Sequence, residues 1–200
     1  MARPKNQGAR REALIEAAGR AITGRGLAGL RIKDIAAEAG VSAGSVLYYY
    51  PELDDLVFEV HQDAVERYVS LRHTRTDSVK DTAERLRAAV DSGLPRDAED
   101  PVHRLLYELH GLADRSRPHA TLMASLFARE VALYTTILEV GAAEGEFTLS
   151  APVAALARDL VALEDGYGLH IVSRNPAVDH AAARDAVLGH ARTVTGCPRL

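Results

Sequence analysis

The chain reads as all-α, with about nine helices. Apolar residues recur at three- and four-residue spacing in one segment after another, no stretch keeps the two-residue alternation of a strand, and glycine and proline punctuate the pattern at helix-length intervals. There is no internal repeat and no low-complexity tract. At 200 residues and 47% hydrophobic content, the chain can build one or two domains with a substantial core.

The first nine residues, MARPKNQGA, are basic and lack an apolar run, which marks a flexible arm rather than a secretory signal or a membrane span. Such an arm suits a nucleic-acid backbone or a minor groove. A first helix is expected over 10–23, with Leu14, Ala17, Ala18, Ala21 and Ile22 on its buried side and Gly24 and Gly26 ending it. The next helix covers 32–39, where Ile35, Ala36 and Ala39 share a face, and Gly40 offers the positive φ that closes a helix at little steric cost. Val41 turns inward at the corner. Ser42 is then a good N-cap for a third helix that Pro51 stops, with Val46 and either Tyr49 or Tyr50 facing in. Two short helices joined by a three- to four-residue turn containing glycine make a helix-turn-helix, here at about 31–50.

The outward face of its second helix carries Ala43, Gly44, Ser45, Leu47 and Tyr48. Small residues at its start permit close approach to a duplex, and the first-turn N–H groups can donate to a phosphate. Ser45 can bond a phosphate or a base, and Tyr48 adds a hydroxyl and a ring for a thymine methyl. The expected DNA contacts are therefore Arg31, Lys33, Ser42, Ala43, Gly44, Ser45, Tyr48 and Tyr49.

Residues 14–56 resemble the DNA-binding domain of TetR-family transcriptional regulators, through Ala-Gly-Val-Ser at 39–42, Gly44, the aromatic run at 48–50, Pro51 and Leu56. The chain departs from that pattern in places. Leu30 and Arg31 replace a threonine pair, which removes a hydroxyl cap and adds a cation. Leu47 stands where the family has a phosphate-contacting tyrosine, and Leu53 where it has a lysine at the start of the fourth helix. Glu52, Asp54 and Asp55 make that helix start acidic, which suits its dipole and repels phosphate.

A long fourth helix is expected over 52–72, linking head to body. Five more follow at 78–92, 100–116, 118–143, 151–173 and 177–195, with breaks at Gly93, Pro95, Pro118, Gly141, Gly145 and Asn175-Pro176. Glu130 and Glu164 each interrupt an apolar stripe, so each must meet a cation or a hydrogen-bond donor, or line a wet cavity. Together with Tyr107, His110, Phe127, Tyr134 and Tyr167 they have the make-up of a small-molecule pocket, and the resemblance implies an effector site here. Two acids favour a cationic or hydrogen-bond-donating effector. The resemblance also implies a homodimer through the last two helices, whose small alanines allow close approach.

The expected division is an arm at 1–9, a DNA-binding head at 10–55 and an effector-binding and dimerisation body at 56–200. Charge follows it: residues 1–50 hold eight Lys or Arg against four acids, while the whole chain carries −4. No zinc-ligand spacing, nucleophile elbow, Walker loop or dinucleotide glycine run occurs, so no catalytic residue, metal or cofactor is expected. The lone Cys197 allows no intrachain disulfide and suggests a cytoplasmic protein. The reading is a dimeric repressor of a pseudo-palindromic operator, released by a small molecule. Its rival is an all-α ligand-binding or partner-docking protein that has lost DNA reading, for which Leu47 and Leu53 speak.

Overall fold

The computed structural model describes residues 4–200, with side chains from residue 7 onward. Among the described residues the secondary structure is nine α-helices and one 3-10 turn, with no strand. They are α1 (Pro4–Arg25), α2 (Ile32–Ala39), α3 (Ala43–Tyr49), α4 (Leu53–Asp77), α5 (Thr82–Gly93), α6 (Pro101–His110), α7 (Arg117–Ala143), α8 (Val153–Val172) and α9 (His180–Thr195). The first three residues of the expected arm lie outside the described residues. The other six, 4–9, are the opening turns of α1; Pro4 at the first helical position supplies a φ already suited to a helix.

Several boundaries differ from expectation: α1 runs through Gly24 to Arg25 and is closed by Gly26 at φ 79°, and others shift for local reasons. No glycine or proline stands between Glu52 and Gly93, and α4 continues past Arg72 to Asp77; after a short break α5 starts behind Asp81, whose side chain accepts from Glu84 N. Helix α6 stops at His110, and the chain tightens into a 3-10 turn over Gly111–Asp114. Helix α9 begins at His180, capped by Asp179 accepting from Ala182 N.

The chain forms two compact units. The first takes residues 1–66 and 104–123, the second 67–103 and 124–200. The 104–123 segment joins the first because Arg104 donates to Thr23 O at 2.8 Å, Leu27 N donates to Glu108 Oε1 at 2.7 Å, and Leu105 packs on Gly19. In the second unit one core gathers Leu86, Val90, Leu94, Tyr134, Ile137, Leu138, Leu156, Leu160, Val187 and Ala191, all buried. Helix α7 is long and apolar enough to cross a bilayer by length and composition, and its Leu133, Tyr134, Ile137 and Leu138 are buried in this core. The close approach of Phe147 to Gly141, where any Cβ would overlap its ring, brings the hairpin after α7 onto the same core.

Candidate functional site

The helix-turn-helix is built from short-range signals. Ile35 and Ala36 seat α2 on the first unit's core, Gly40 closes it at φ 64°, and Val41 N returns to Ala36 O. At the start of α2 no hydroxyl caps the first turn, and the bond that remains is the reciprocal one, the Asp34 carboxylate accepting from Arg31 N at 3.1 Å. Ser42 caps α3 by accepting from Ser45 N at 3.2 Å, and its hydroxyl also meets that of Ser45.

Of the tyrosine run, Tyr50 is the inward residue. It is 1% exposed, its hydroxyl donates to Glu59 Oε2, and the Arg11 guanidinium lies 4.5 Å over its ring while pairing with Glu59. Burial pushes the Tyr50 phenol well above its ordinary range, with the Glu59 carboxylate adding to it. This clamp ties α1, the end of α3 and α4 together. Tyr49 is half-buried and edges against Tyr48 at 5.2 Å, whereas Tyr48 is 73% exposed. Ser42, Ala43, Gly44, Ser45 and Leu47 are exposed along the same face.

Three of the head's cations are paired within the protein. Arg11 pairs with Glu59, Arg20 with Glu38 at 3.6 Å and Arg25 with Asp34 at 3.7 Å. Arg31 and Lys33 are exposed and have no ion-pair partner among the described residues, so their charge is available to a phosphate.

The residues expected to line an effector pocket separate. Tyr107 and His110 belong to the first unit, half-buried and exposed respectively. In the second unit Phe127 is 40% exposed and Tyr167 lies at the margin of the core. Glu130, Tyr134 and Glu164 do converge, on a residue that sequence reasoning passed over. Arg72 is 1% exposed and holds Glu164 through two bonds, Nη1 to Oε2 at 2.9 Å and Nη2 to Oε1 at 3.3 Å. The same Nη1 reaches Glu130 Oε1 at 3.1 Å and Tyr68 Oη at 2.8 Å, and Nη2 reaches Ala89 O at 3.2 Å. Tyr68 donates onward to Glu130 at 3.0 Å and Tyr134 donates to Glu164. The two rings flank the guanidinium at 5.5 and 5.4 Å, within cation–π range. Gly93 closes the site, since a Cβ there would overlap the Glu164 carboxylate.

One buried guanidinium faces two buried carboxylates, and the charges settle accordingly. Burial pushes Glu130 up to about 7, against the pull of Arg72 and helped by the neighbouring Glu164. Glu164 is also raised by burial, but the two-pronged bond to Arg72 keeps it the better-compensated anion. Near neutral pH the cluster therefore approaches one cation, one anion and one neutral acid. The two acids thus meet an internal cation, which removes the support they lent to a cationic effector. Arg72 sits at the end of the helix expected over 52–72, with acids 58 and 92 residues away, and no local pattern marks such a pairing.

Among the described residues no group of three or more His, Cys, Asp or Glu is arranged to hold a metal ion. Residues 14–60 match the family described as "Bacterial regulatory proteins, tetR family", and residues 82–196 match "BetI-type transcriptional repressor, C-terminal". The HTH-type transcriptional repressor KstR2 of Mycolicibacterium smegmatis is 24% identical over 148 residues, covering 72% of this chain and 70% of its own. A TetR transcription regulator from Haloarcula marismortui superposes with a TM-score of 0.83 at 25% identity, covering 94% of this chain and 99% of its own. A protein from Saccharomonospora viridis, described as a transcriptional regulator in complex with choline, shares the fold with a TM-score of 0.84 at 22% identity, over 91% of this chain and 95% of its own.

Proposed function

The chain belongs to the tetR family of bacterial regulatory proteins and is a DNA-binding transcriptional regulator, and on that premise we propose that it works as a homodimeric repressor whose operator affinity falls when the body binds a small molecule. The observation that carries the reading is the outer face of α3: Ser42, Ala43, Gly44, Ser45, Leu47 and Tyr48 stand exposed, with Tyr48 the most exposed large apolar side chain, on a motif pinned by the Tyr50–Glu59–Arg11 clamp. A rigid helix with a small, open leading edge and two unpaired cations beside it suits a major groove. In this proposal Ser45 and Tyr48 read base edges, Arg31 and Lys33 hold phosphates, and Ser42, Ala43, Gly44 and Tyr49 allow or brace the approach.

Dimerisation is assigned to α8 and α9. Ala162, Gly166 and Leu169 leave an exposed stripe on α8, Ala181 and Ala182 one on α9, and nothing lies within 4 Å of a Cβ added at Gly166 or Gly189. Small residues let a second copy's helices approach closely, and a two-fold dimer demands a pseudo-palindromic operator. Effector and operator then oppose each other by linkage, each weakening the other's binding by one factor. Glu130, Tyr134 and Glu164 are assigned to holding the body's core through Arg72. The protein is expected to act in the cytoplasm, without catalytic activity.

The test is selection of bound sequences from a random duplex pool at physiological salt, run with the wild type and Tyr48→Ala. A palindrome enriched by the wild type alone supports the reading. No enrichment by either, with purified protein that is dimeric by sedimentation, would transfer the case to a ligand-binding protein that has lost DNA reading, for which the exposed Leu47 and the acidic start of α4 speak.

A further inference from the structure

A pair of stacked imidazoles in the first unit has a defined proton arrangement. His61 is fully buried, and its ring lies 5.0 Å from that of His119 at 27°. Its Nε2 is 3.2 Å from Met123 Sδ and its Nδ1 is 2.7 Å from His119 Nδ1. A thioether sulfur can only accept, so the protonated nitrogen of His61 is Nε2. Burial, with the neighbouring His119, pushes His61 down to about 4, so at neutral pH it carries one N–H and no more. Its Nδ1 is then a bare acceptor, and His119 Nδ1 must be the donor. Burial lowers His119 as well. His119 is therefore neutral with its single proton on Nδ1, and its Nε2 is left with an open lone pair that meets no protein partner among the described residues.

His119 forms part of the wall of a cavity of about 470 Å³, a volume typical of small-molecule sites. The apolar wall comes from Leu27 and Leu30, between α1 and α2, from Leu53 and Phe58 of α4, and from Leu112 and Pro118. Asp54 and Asp55 add two carboxylates against the single cation of Arg115, so the lining carries a net −1. Asp54 is near enough to favour a positive charge at His119.

We propose that this cavity is a binding site for a lipophilic organic ammonium ion, whose N–H groups donate to His119 Nε2 and the Asp54 carboxylate while its apolar body fills the leucine and phenylalanine wall. The site differs from the effector pocket expected in the body: its ligand would rest on the first turn of α4 and on the segment leading into α2, the two stretches that flank the helix-turn-helix.

The test needs no knowledge of the natural ligand. Long-range proton–nitrogen spectra of the free protein at pH 7.5 report the tautomer, and an Nδ1–H, Nε2-bare His119 is expected; an Nε2–H tautomer would overturn the proposal. Three probes of one shape, 1-naphthylmethylamine, 1-naphthylmethanol and 1-naphthoate, are then titrated calorimetrically. The amine should bind at least about tenfold more tightly than the carboxylate and shift His119 Nε2, as a charge-assisted hydrogen bond requires. Asp54→Asn, at an exposed position that tolerates the change, should weaken the amine about tenfold and leave the alcohol within about twofold. His119→Phe should also weaken the amine, with folding checked by circular dichroism. Equal binding of amine and carboxylate, or amine affinity indifferent to Asp54→Asn, would overturn the assignment.

Discussion

Replacing Glu130 by glutamine isolates the charge balance of the Arg72 cluster. The amide keeps the shape and can still accept from Tyr68 and Arg72, but it cannot ionise. In the wild type the carboxyl rises from 4.5 in the unfolded chain to about 7 in the folded one, so the folded state holds the proton to higher pH. Its contribution to stability is complete below pH 4.5, fades as pH rises toward 7 and is gone above that, an interval of roughly 3 kcal/mol. A raw stability curve would hide this, because His61 runs the other way. Held neutral down to about 4 in the fold, it lowers stability as pH falls below 6.5. Subtracting the Glu130→Gln curve from the wild type cancels His61 and leaves Glu130. Urea unfolding followed by far-ultraviolet circular dichroism, at one protein concentration and from pH 4.5 to 7.5, gives both curves; the chain has no tryptophan for fluorescence. The difference should fall by about 3 kcal/mol across that range, with glutamine the more stable form at the upper end. A flat difference, or one rising with pH, would mean that Arg72 keeps Glu130 ionised and that the single-anion description is wrong.

Tyr48→Ala should relax operator preference while changing stability by less than about 0.5 kcal/mol, because the side chain is 73% exposed; a large loss of stability would show that it supports the fold instead. Lys33→Ala should weaken binding to all duplexes and make the salt dependence of log K shallower by about one, and an unchanged slope would remove Lys33 from the phosphate contacts. Gly93→Ala should destabilise by about 1–3 kcal/mol despite alanine's better helix propensity, because the added methyl meets a Glu164 carboxylate pinned by Arg72 and Tyr134. A higher urea midpoint would refute that close approach.

The elements of the reading head are legible in the sequence because the forces that shape them act within a few residues. Gly40 provides the left-handed closing residue, Ser42 caps a helix start three residues away from the N–H it accepts, and Pro51 ends α3. The spacing of Ile35, Ala36 and Ala39 gives α2 one apolar face, and Ile35 and Ala36 on it are buried in the core. Body helices were recognisable for the same reason, with boundaries shifted where a side chain such as Asp81 or Asp179 supplied the actual cap. Of the expected effector residues, the polarity of Glu130 and Glu164 on apolar stripes announced a partner without identifying it. Tyr107, His110 and Phe127 shared only a helical periodicity with that site, and periodicity says which side of a helix is apolar, not which neighbour it meets.

The tertiary structure alone decided the partners. Which of Tyr49 and Tyr50 faces inward depends on Glu59 and Arg11, brought together from α4 and α1. Arg72 finds its carboxylates across 58 and 92 residues of chain, and the proton arrangement of His119 depends on His61 and, through it, on Met123. Local hydrogen bonding and steric limits write secondary structure into neighbouring residues. Buried charges and shared protons answer to whatever the packing places beside them, and that is settled only when distant helices meet.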